Sequence, residues 1–399
     1  MPIHNFDIVH DRRGTYCTQW DYIQDRFGKP GILPFSISDT DFTTPEPIVR
    51  KVTDVASRGL YGYTRWNHHD FKGAVADWFL RRYSASIVED WVLYSPSVMY
   101  SVSLLVRLLT KTNQGVLSLN PMYDSFPGAI TGNRRHMVTS TLVWDGSKFV
   151  MNFDELEKLA PNCGMFLLCS PHNPTGRIWT REELARVISL CSRHDLWLVT
   201  DEIHADINLC GRPHISGLDY VGTWSKIITV SSASKTFNTP ALGGSYLIIP
   251  DTNVREAFIN HTRHVDFLNS ATVLGMHATI TGYRECDYYV DQLCEYIRGN
   301  MRYLKEWLQE NYPQIRFEIP DGTYLAWMDV SRLGYSTASL QNALVNVGEV
   351  GIMRGDTYGS AGEGYLRMCI GCPRSKLEEG LIRIGRGIEW LRGESSVQG

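Results

Sequence analysis

Lys235 stands in the run Ser231-Ser232-Ala233-Ser234-Lys235-Thr236-Phe237-Asn238, and three upstream segments carry groups that a primary amine could work with. They are Asn120-Pro121-Met122-Tyr123, Asn173-Pro174-Thr175-Gly176 and Asp201-Glu202-Ile203-His204. An amine condenses with a carbonyl to give a Schiff base. A cofactor of the pyridoxal phosphate kind then needs an acid at its ring nitrogen, a donor at its phenolic oxygen, a ring stacked on it and a cradle for its phosphate. Asp201 offers the acid, Asn173 the donor and Tyr123 the ring. Ser232 offers the phosphate a hydroxyl, and the backbone N–H groups of Ser97 and Val98 open a helix whose positive end suits an anion.

Taken singly, each residue has an ordinary account as well. Asp201 after a strand suits a helix N-cap, as does Ser97. Asn173 before Pro174 suits a turn, Tyr123 beside proline suits packing, and most lysines are solvated surface charges. Only the joint spacing lifts Lys235 above that background. Two other constellations read as structural: Cys369-Ile370-Gly371-Cys372 lacks the second pair that zinc would want, and His204, Asp206 and His214 lack a ligand spacing, so no metal is expected.

The elements that must position these groups alternate between short apolar strands and helical periodicity, the pattern of an α/β sheet. Strands are expected at 91–95, 116–119, 165–169, 197–200 and 227–230, each followed by a polar or Pro/Gly turn, and Val98, Val102, Leu105 and Leu109 share one helix face. Ligands of open α/β sheets bind beyond the carboxyl ends of the strands, where Ser97, Tyr123, Asn173, Asp201 and Ser232 would all lie. From about Glu285 the character changes to a long amphipathic stretch reaching Tyr312, a break at Pro313 and short strands around 324–329 and 364–368. The expected division is an N-terminal segment over 1–45 that packs with the small domain, a large domain over 46–285 and a smaller C-terminal domain over 286–399, with a frayed tail from Glu394. Internal repeats and low-complexity linkers are absent from the sequence.

With 399 residues, 43% of them hydrophobic and 21% charged, the composition is that of a globular enzyme. A formal net charge of -4 without a basic run gives no electrostatic reason to expect nucleic acid. The first 13 residues lack the uninterrupted apolar core of a signal peptide, and no stretch approaches a membrane span. Nine cysteines without framework spacing suit reduced thiols, so a cytoplasmic location is expected.

The motifs together resemble a known family. Trp20-Asp21, Ser38-Asp39-Thr40-Asp41-Phe42, Tyr61-Gly62-Tyr63-Thr64, Ser170 to Arg177, Asp201 to His204, Ser234 to Asn238, Gly322-Thr323-Tyr324-Leu325 and Gly371-Cys372-Pro373 are similar to those of the class I/II aminotransferase superfamily. Within it they resemble the cystathionine β-lyase (C-S lyase) branch, the MalY/PatB kind. The resemblance implies a fold-type I pyridoxal-phosphate-dependent transferase fold, with a mostly parallel mixed sheet flanked by helices and a smaller α/β C-terminal domain. It implies pyridoxal 5'-phosphate in Schiff-base linkage to Lys235, with Asp201, Asn173, Tyr123 and Ser232 around it, Arg367 on the substrate carboxylate and Tyr63 reaching the phosphate of a neighbouring subunit in a homodimer whose active sites lie at the subunit interface. A planar guanidinium gripping a carboxylate through two hydrogen bonds gives Arg367 a logic of its own, against the surface arginine it would otherwise be. His204 takes the place of a common tyrosine, and Gly243 that of a phosphate-binding arginine; both departures resemble the lyase branch. The implied reaction is β-elimination on cystathionine and related sulfur-containing amino acids, within methionine biosynthesis. An aminotransferase acting on a small or aromatic amino acid is the alternative, and a moonlighting regulatory protein a third.

Overall fold

The computed structural model describes residues 3–268 and 270–397. Seven strands form the main sheet, in the order Val92–Ser95, Ser245–Ile248, Ile227–Ser231, Trp197–Asp201, Cys163–Cys169, Gly115–Asn120 and His136–Thr141. Ser245–Ile248 runs antiparallel to both its neighbours, and the other pairs are parallel. Strands covered by helices on both faces must be apolar throughout, and Cys163-Gly-Met-Phe-Leu-Leu-Cys169 is buried along its whole length. Alternation then sends neighbouring residues to opposite faces. Phe166, Leu168, Leu198 and Ile227 join one core, while Met165, Leu167, Val199 and Ile228 join the other.

The helices close on these faces for local reasons. Val98–Leu109 starts where the Ser97 hydroxyl accepts from Tyr100 N–H, and Val98, Val102, Leu105 and Val106 enter the core beside Leu93 and Val230. Arg181–Arg193 begins at a complete capping box between Thr180 and Glu183. Within the main sheet, all five strands expected from the sequence are present, within about two residues at each end. The two unexpected ones have weak signals. His136–Thr141 is a partly exposed polar edge strand, and Ser245–Ile248 is only four residues long.

A three-stranded antiparallel sheet has Leu325–Asp329 and Met353–Arg354 on either side of Tyr365–Cys369. The long helix Asp287–Asn311 and the last helix, Arg374–Val397, accompany it. The frayed tail expected from Glu394 is therefore corrected: the chain stays helical through Val397, and Gln398 and Gly399 lie outside the described residues. Chain from the N-terminal end reaches this part of the molecule, since Leu33–Pro34 pairs in parallel with Val350–Gly351. Between them, Asp41 and Lys376 form a buried ion pair at 2.5 Å, and Asp41 also accepts from Arg12 and from the Trp20 indole at 3.0 Å each. Among the described residues no helix is long and apolar enough to cross a membrane.

Lys376→Met strips the buried Asp41 carboxylate of its nearest cation, and breaking a buried pair from one side costs about 3 kcal/mol or more. The expected outcome is a clearly lower urea midpoint, partly restored by adding Asp41→Asn.

Candidate active site

One cavity of about 230 Å³ opens at the carboxyl end of the main sheet, and its wall collects residues from eight separated segments. Lys235, Asp201, Asn173, Tyr123, Val98, His204 and Arg367 all line it. Ser232 and Ser97 do not line it. The Ser232 hydroxyl donates to Gly244 C=O at 3.0 Å and accepts from Ser234 N–H at 3.2 Å, while exposed Ser97 serves as the helix cap. Tyr63 is fully exposed and does not reach the cavity of its own chain.

Asp201 ends the strand between Cys163–Cys169 and Ile227–Ser231, so its position is set by hydrogen-bonded backbone on both sides. No helix follows it, which removes the N-cap account; its carboxylate accepts one bond, from Ile203 N–H at 3.2 Å. Burial pushes its carboxyl up to about 7, with the neighbouring Glu202 charge adding and Lys235 opposing. Lys235 sits in the single turn Ser234–Phe237 after its strand, and its Nζ donates to Ser38 C=O at 2.5 Å. Its pKa is lowered by burial, against the pull of Asp39, Cys369 and Asp201 and with help from Arg367. His204 is buried and pushed down to about 3, first by burial and then by Lys235 and Arg367, and its Nδ1 has no partner.

Arg367 is buried, not the surface arginine its type suggests, and it lies on Tyr365–Cys369 with its guanidinium 4.5 Å over the Tyr358 ring. Nη2 donates to Ser36 C=O at 2.6 Å and Nη1 to the Asn173 Oδ1 at 3.1 Å, and Nε is unpartnered. The loop carrying Asn173 turns at Gly176, whose φ of 68° and close approach to Pro320 and Gly322 exclude a side chain. A larger cleft of about 530 Å³ takes Thr175 and Arg177 from that loop but none of the expected site residues.

What the sequence reading lacked is the segment 36–42, noted above only as a motif. Asn238, in the left-handed conformation at the end of the Lys235 turn, donates from Nδ2 to Thr40 C=O at 2.9 Å and to Phe42 C=O at 2.8 Å. Arg12 ties down Thr40 C=O, Asp39 and Asp41, and the Tyr324 hydroxyl joins Lys235 on Ser38 C=O. Backbone oxygens carry the contacts to Lys235 and Arg367, so side-chain identity gives them no signal. Arg26, Asp124 and Ser125 also line the cavity and were not expected. His204, Asp206 and His214 serve separate purposes: His214 faces Glu202 at 3.0 Å, and Asp206 accepts from Trp78, Tyr83 and Thr236.

The donor set fits pyridoxal phosphate. A buried carboxyl without a cation bonded to it suits a protonated ring nitrogen, and Asn173, whose Oδ1 is occupied, keeps Nδ2 to donate to a phenolic oxygen. The unpartnered Arg367 Nε and the N-terminus of Val98–Leu109 suit anionic groups.

The comparisons agree. A family model described as aminotransferase class I and II matches residues 30–384. "Protein MalY" of Escherichia coli is 39% identical, over 97% of this chain and 100% of that protein, and "Cystathionine beta-lyase PatB" of Bacillus subtilis is 33% identical, over 95% and 98%. The crystal structure of cystalysin from Treponema denticola, which contains a pyridoxal 5'-phosphate cofactor, superposes with a TM-score of 0.92 at 29% identity, covering 98% of this chain and 100% of that one.

Because the folded chain holds the Asp201 proton more tightly than the unfolded one, the cofactor-free protein loses stability as pH rises from the ordinary carboxylate range through about 7. Asp201→Asn removes that loss. Cofactor-free variant should melt above the wild type at pH 8, with the gap closing toward pH 4; a gap that ignores pH would contradict the assignment.

Proposed function

Since the chain belongs to the aminotransferase class I and II family, we propose that it is a pyridoxal-phosphate-dependent carbon-sulfur lyase acting on L-cystathionine and related cysteine S-conjugates. The products are a thiol, homocysteine in the case of cystathionine, with pyruvate and ammonia, and one water is consumed. The observation that carries the reading is the meeting of Lys235, Asp201 and Arg367 on one cavity wall. Relatives named for cystathionine β-lyase and C-S lyase activity favour elimination over amino transfer.

When bound, pyridoxal phosphate supplies an aldehyde for amines and an electron-poor ring that accepts the electron pair left on Cα. Lys235 is the amine for that aldehyde. The free amine would serve as base for the Cα proton, and burial keeps a larger fraction of it neutral than an exposed lysine would have. Asp201 would hold the ring nitrogen protonated, and Asn173, whose Oδ1 accepts from Arg367, would have Nδ2 left to donate to the phenolic oxygen. Tyr123 would stack on the ring, and the Val98 end of its helix, with the hydroxyls of Ser97 and Ser232, would hold the phosphate. Arg367 spends two of its five N–H donors on Ser36 and Asn173, leaving three for a substrate carboxylate. With that carboxylate gripped, the Cα–H bond is held in one orientation. His204, neutral at physiological pH, adds no charge beside Lys235.

The surface supports a homodimer. Leu60, Tyr61, Tyr63 and Phe267 project into solvent from two segments joined by Thr64, which bonds to Ser270 and Ala271. Such a patch suits a second copy of the chain, with Tyr63 reaching the neighbouring phosphate site. The nine free cysteines suit the cytoplasm, and a division into 1–45, 46–285 and 286–399 suits the two sheets.

The test is incubation with L-cystathionine and no keto acid. Pyruvate and free thiol should appear in equal amounts, and Lys235→Ala should lose both that turnover and the near-visible absorbance of the bound cofactor. Pyruvate-free amino transfer that requires an added keto acid would overturn the lyase reading in favour of an aminotransferase. Sedimentation should give twice the mass of one chain.

A further inference from the structure

Five charged side chains line the active cavity: Arg26, Asp124, Asp201, Lys235 and Arg367. Three of them have work in the reaction proposed above. The remaining two, Arg26 and Asp124, have opposite signs, and neither is in an ion pair with another side chain of the described residues. Arg26 donates only to the Met353 thioether, a weak acceptor, at 3.6 Å. Asp124 takes only a long contact of 3.5 Å from the Ser125 hydroxyl. Arginines and aspartates elsewhere in this chain are mostly paired: Arg12 with Asp39, Arg177 with Asp321, Arg354 with Asp356. A guanidinium and a carboxylate standing unpaired on one wall are therefore free to take a ligand without first breaking each other's contacts.

Their location matters as much as their freedom. Tyr358 lies beneath the Arg367 guanidinium at 4.5 Å, and the charges of Arg367, Asp124 and Arg26 all act on its hydroxyl. The two spare groups thus belong to the same neighbourhood as the group that would grip the substrate's reacting end. The Tyr123 backbone leads directly into Asp124 and Ser125, and Met122 N–H is tied to Tyr358 C=O at 2.8 Å, so the wall that carries the stacking ring also carries the spare carboxylate.

We propose that Arg26 and Asp124 recognise the leaving half of the substrate, pairing with the carboxylate and the ammonium of a second amino-acid group beyond the sulfur. The inference rests on the lyase reading and narrows it. Thioethers whose leaving thiol is itself an α-amino acid are preferred over S-alkyl cysteines, whose leaving group offers nothing for either charge. The guanidinium can take the distal carboxylate through two parallel hydrogen bonds, and the carboxylate can take the distal ammonium. A substrate lacking the distal zwitterion leaves both groups to water, which is how a polar site discriminates against an analogue without the matching groups.

The experiment is an equilibrium one on the holoenzyme, with two probes that have no carbon-sulfur bond to break. L,L-2,7-diaminosuberate replaces the cystathionine sulfur by carbon and keeps both zwitterions; L-norleucine keeps only the proximal one. Calorimetric titration of each gives a ratio of dissociation constants. The wild type is expected to prefer diaminosuberate by roughly tenfold or more, the range for charge-assisted hydrogen bonds. Arg26→Gln and Asp124→Asn should each pull the ratio toward one, and Arg26→Lys should keep part of the preference. Equal binding of the two probes by the wild type, or a preference that survives both substitutions, overturns the proposal. The two readings fail separately: cystathionine turnover with no probe preference sinks only this inference, and probe preference without turnover sinks only the lyase.

Discussion

A carboxylate buried at the foot of the cavity, with little water around it, is the constraint around which the rest of the cavity is arranged. Asp201 is the last residue of a strand hydrogen-bonded on both sides, and its own carbonyl accepts from Ser170 N–H at 2.9 Å, so the side chain cannot retreat to solvent. Its proton is held up to about 7 as a result. The same dryness lowers the affinity of Lys235 and of His204 for a proton. One low-dielectric corner thus sets three titrations. A cationic ring bound there would meet a carboxylate whose ionisation it restores, which makes cofactor binding and relief of the buried charge a single event.

The second requirement is that an amine and a guanidinium from distant parts of the chain keep a fixed relation. Segment 36–42 provides it through peptide oxygens: Ser36 C=O holds Arg367, and Ser38 C=O holds Lys235 and Tyr324. The segment is itself fastened from several directions, by Arg12, Asn238, Lys376 and the Gly371 carbonyl that accepts from Asp41 N–H. Loss of any one fastening leaves the others. Peptide carbonyls also have no titration of their own, so the acceptors that hold the amine and the guanidinium do not change with pH.

The legibility of this arrangement in the sequence follows from which atoms carry each contact. Central parallel strands such as 163–169 and 197–201 announce themselves as apolar runs, because burial on both faces leaves no room for alternation. The polar edge strand 136–141 has no such pressure on it and was missed. Lys235, Asp201, Asn173, Tyr123 and Arg367 were legible because their chemistry lies in their side chains and their order matches a family pattern. Ser36 and Ser38 were not, since any residue has a carbonyl. Arg26 and Asp124 were hidden for a different reason: an exposed arginine in a short helix and an aspartate after a tyrosine look like solvated surface until the fold brings them to one wall. Asn238 lay in between, quoted as a motif, with its backbone-clasping role visible only in three dimensions.

Asp201 and Glu202, adjacent in sequence and both buried, differ in how fully the fold completes their hydrogen bonds. Glu202 accepts from Thr200 at 2.8 Å, Gly217 N–H at 2.8 Å, His214 at 3.0 Å and Ser216 at 3.1 Å, a closed set with no capacity for a ligand. Asp206 is closed in the same way by Trp78, Tyr83 and Thr236. Asp201 has one backbone donor and nothing else. A buried polar group costs free energy unless its bonds are made; the fold completes Glu202 and Asp206, whereas His204 Nδ1 and Arg367 Nε stay without a partner on the cavity that Asp201 also lines. Incomplete hydrogen bonding, rather than acidity or burial alone, is what separates Asp201 from Glu202 and Asp206.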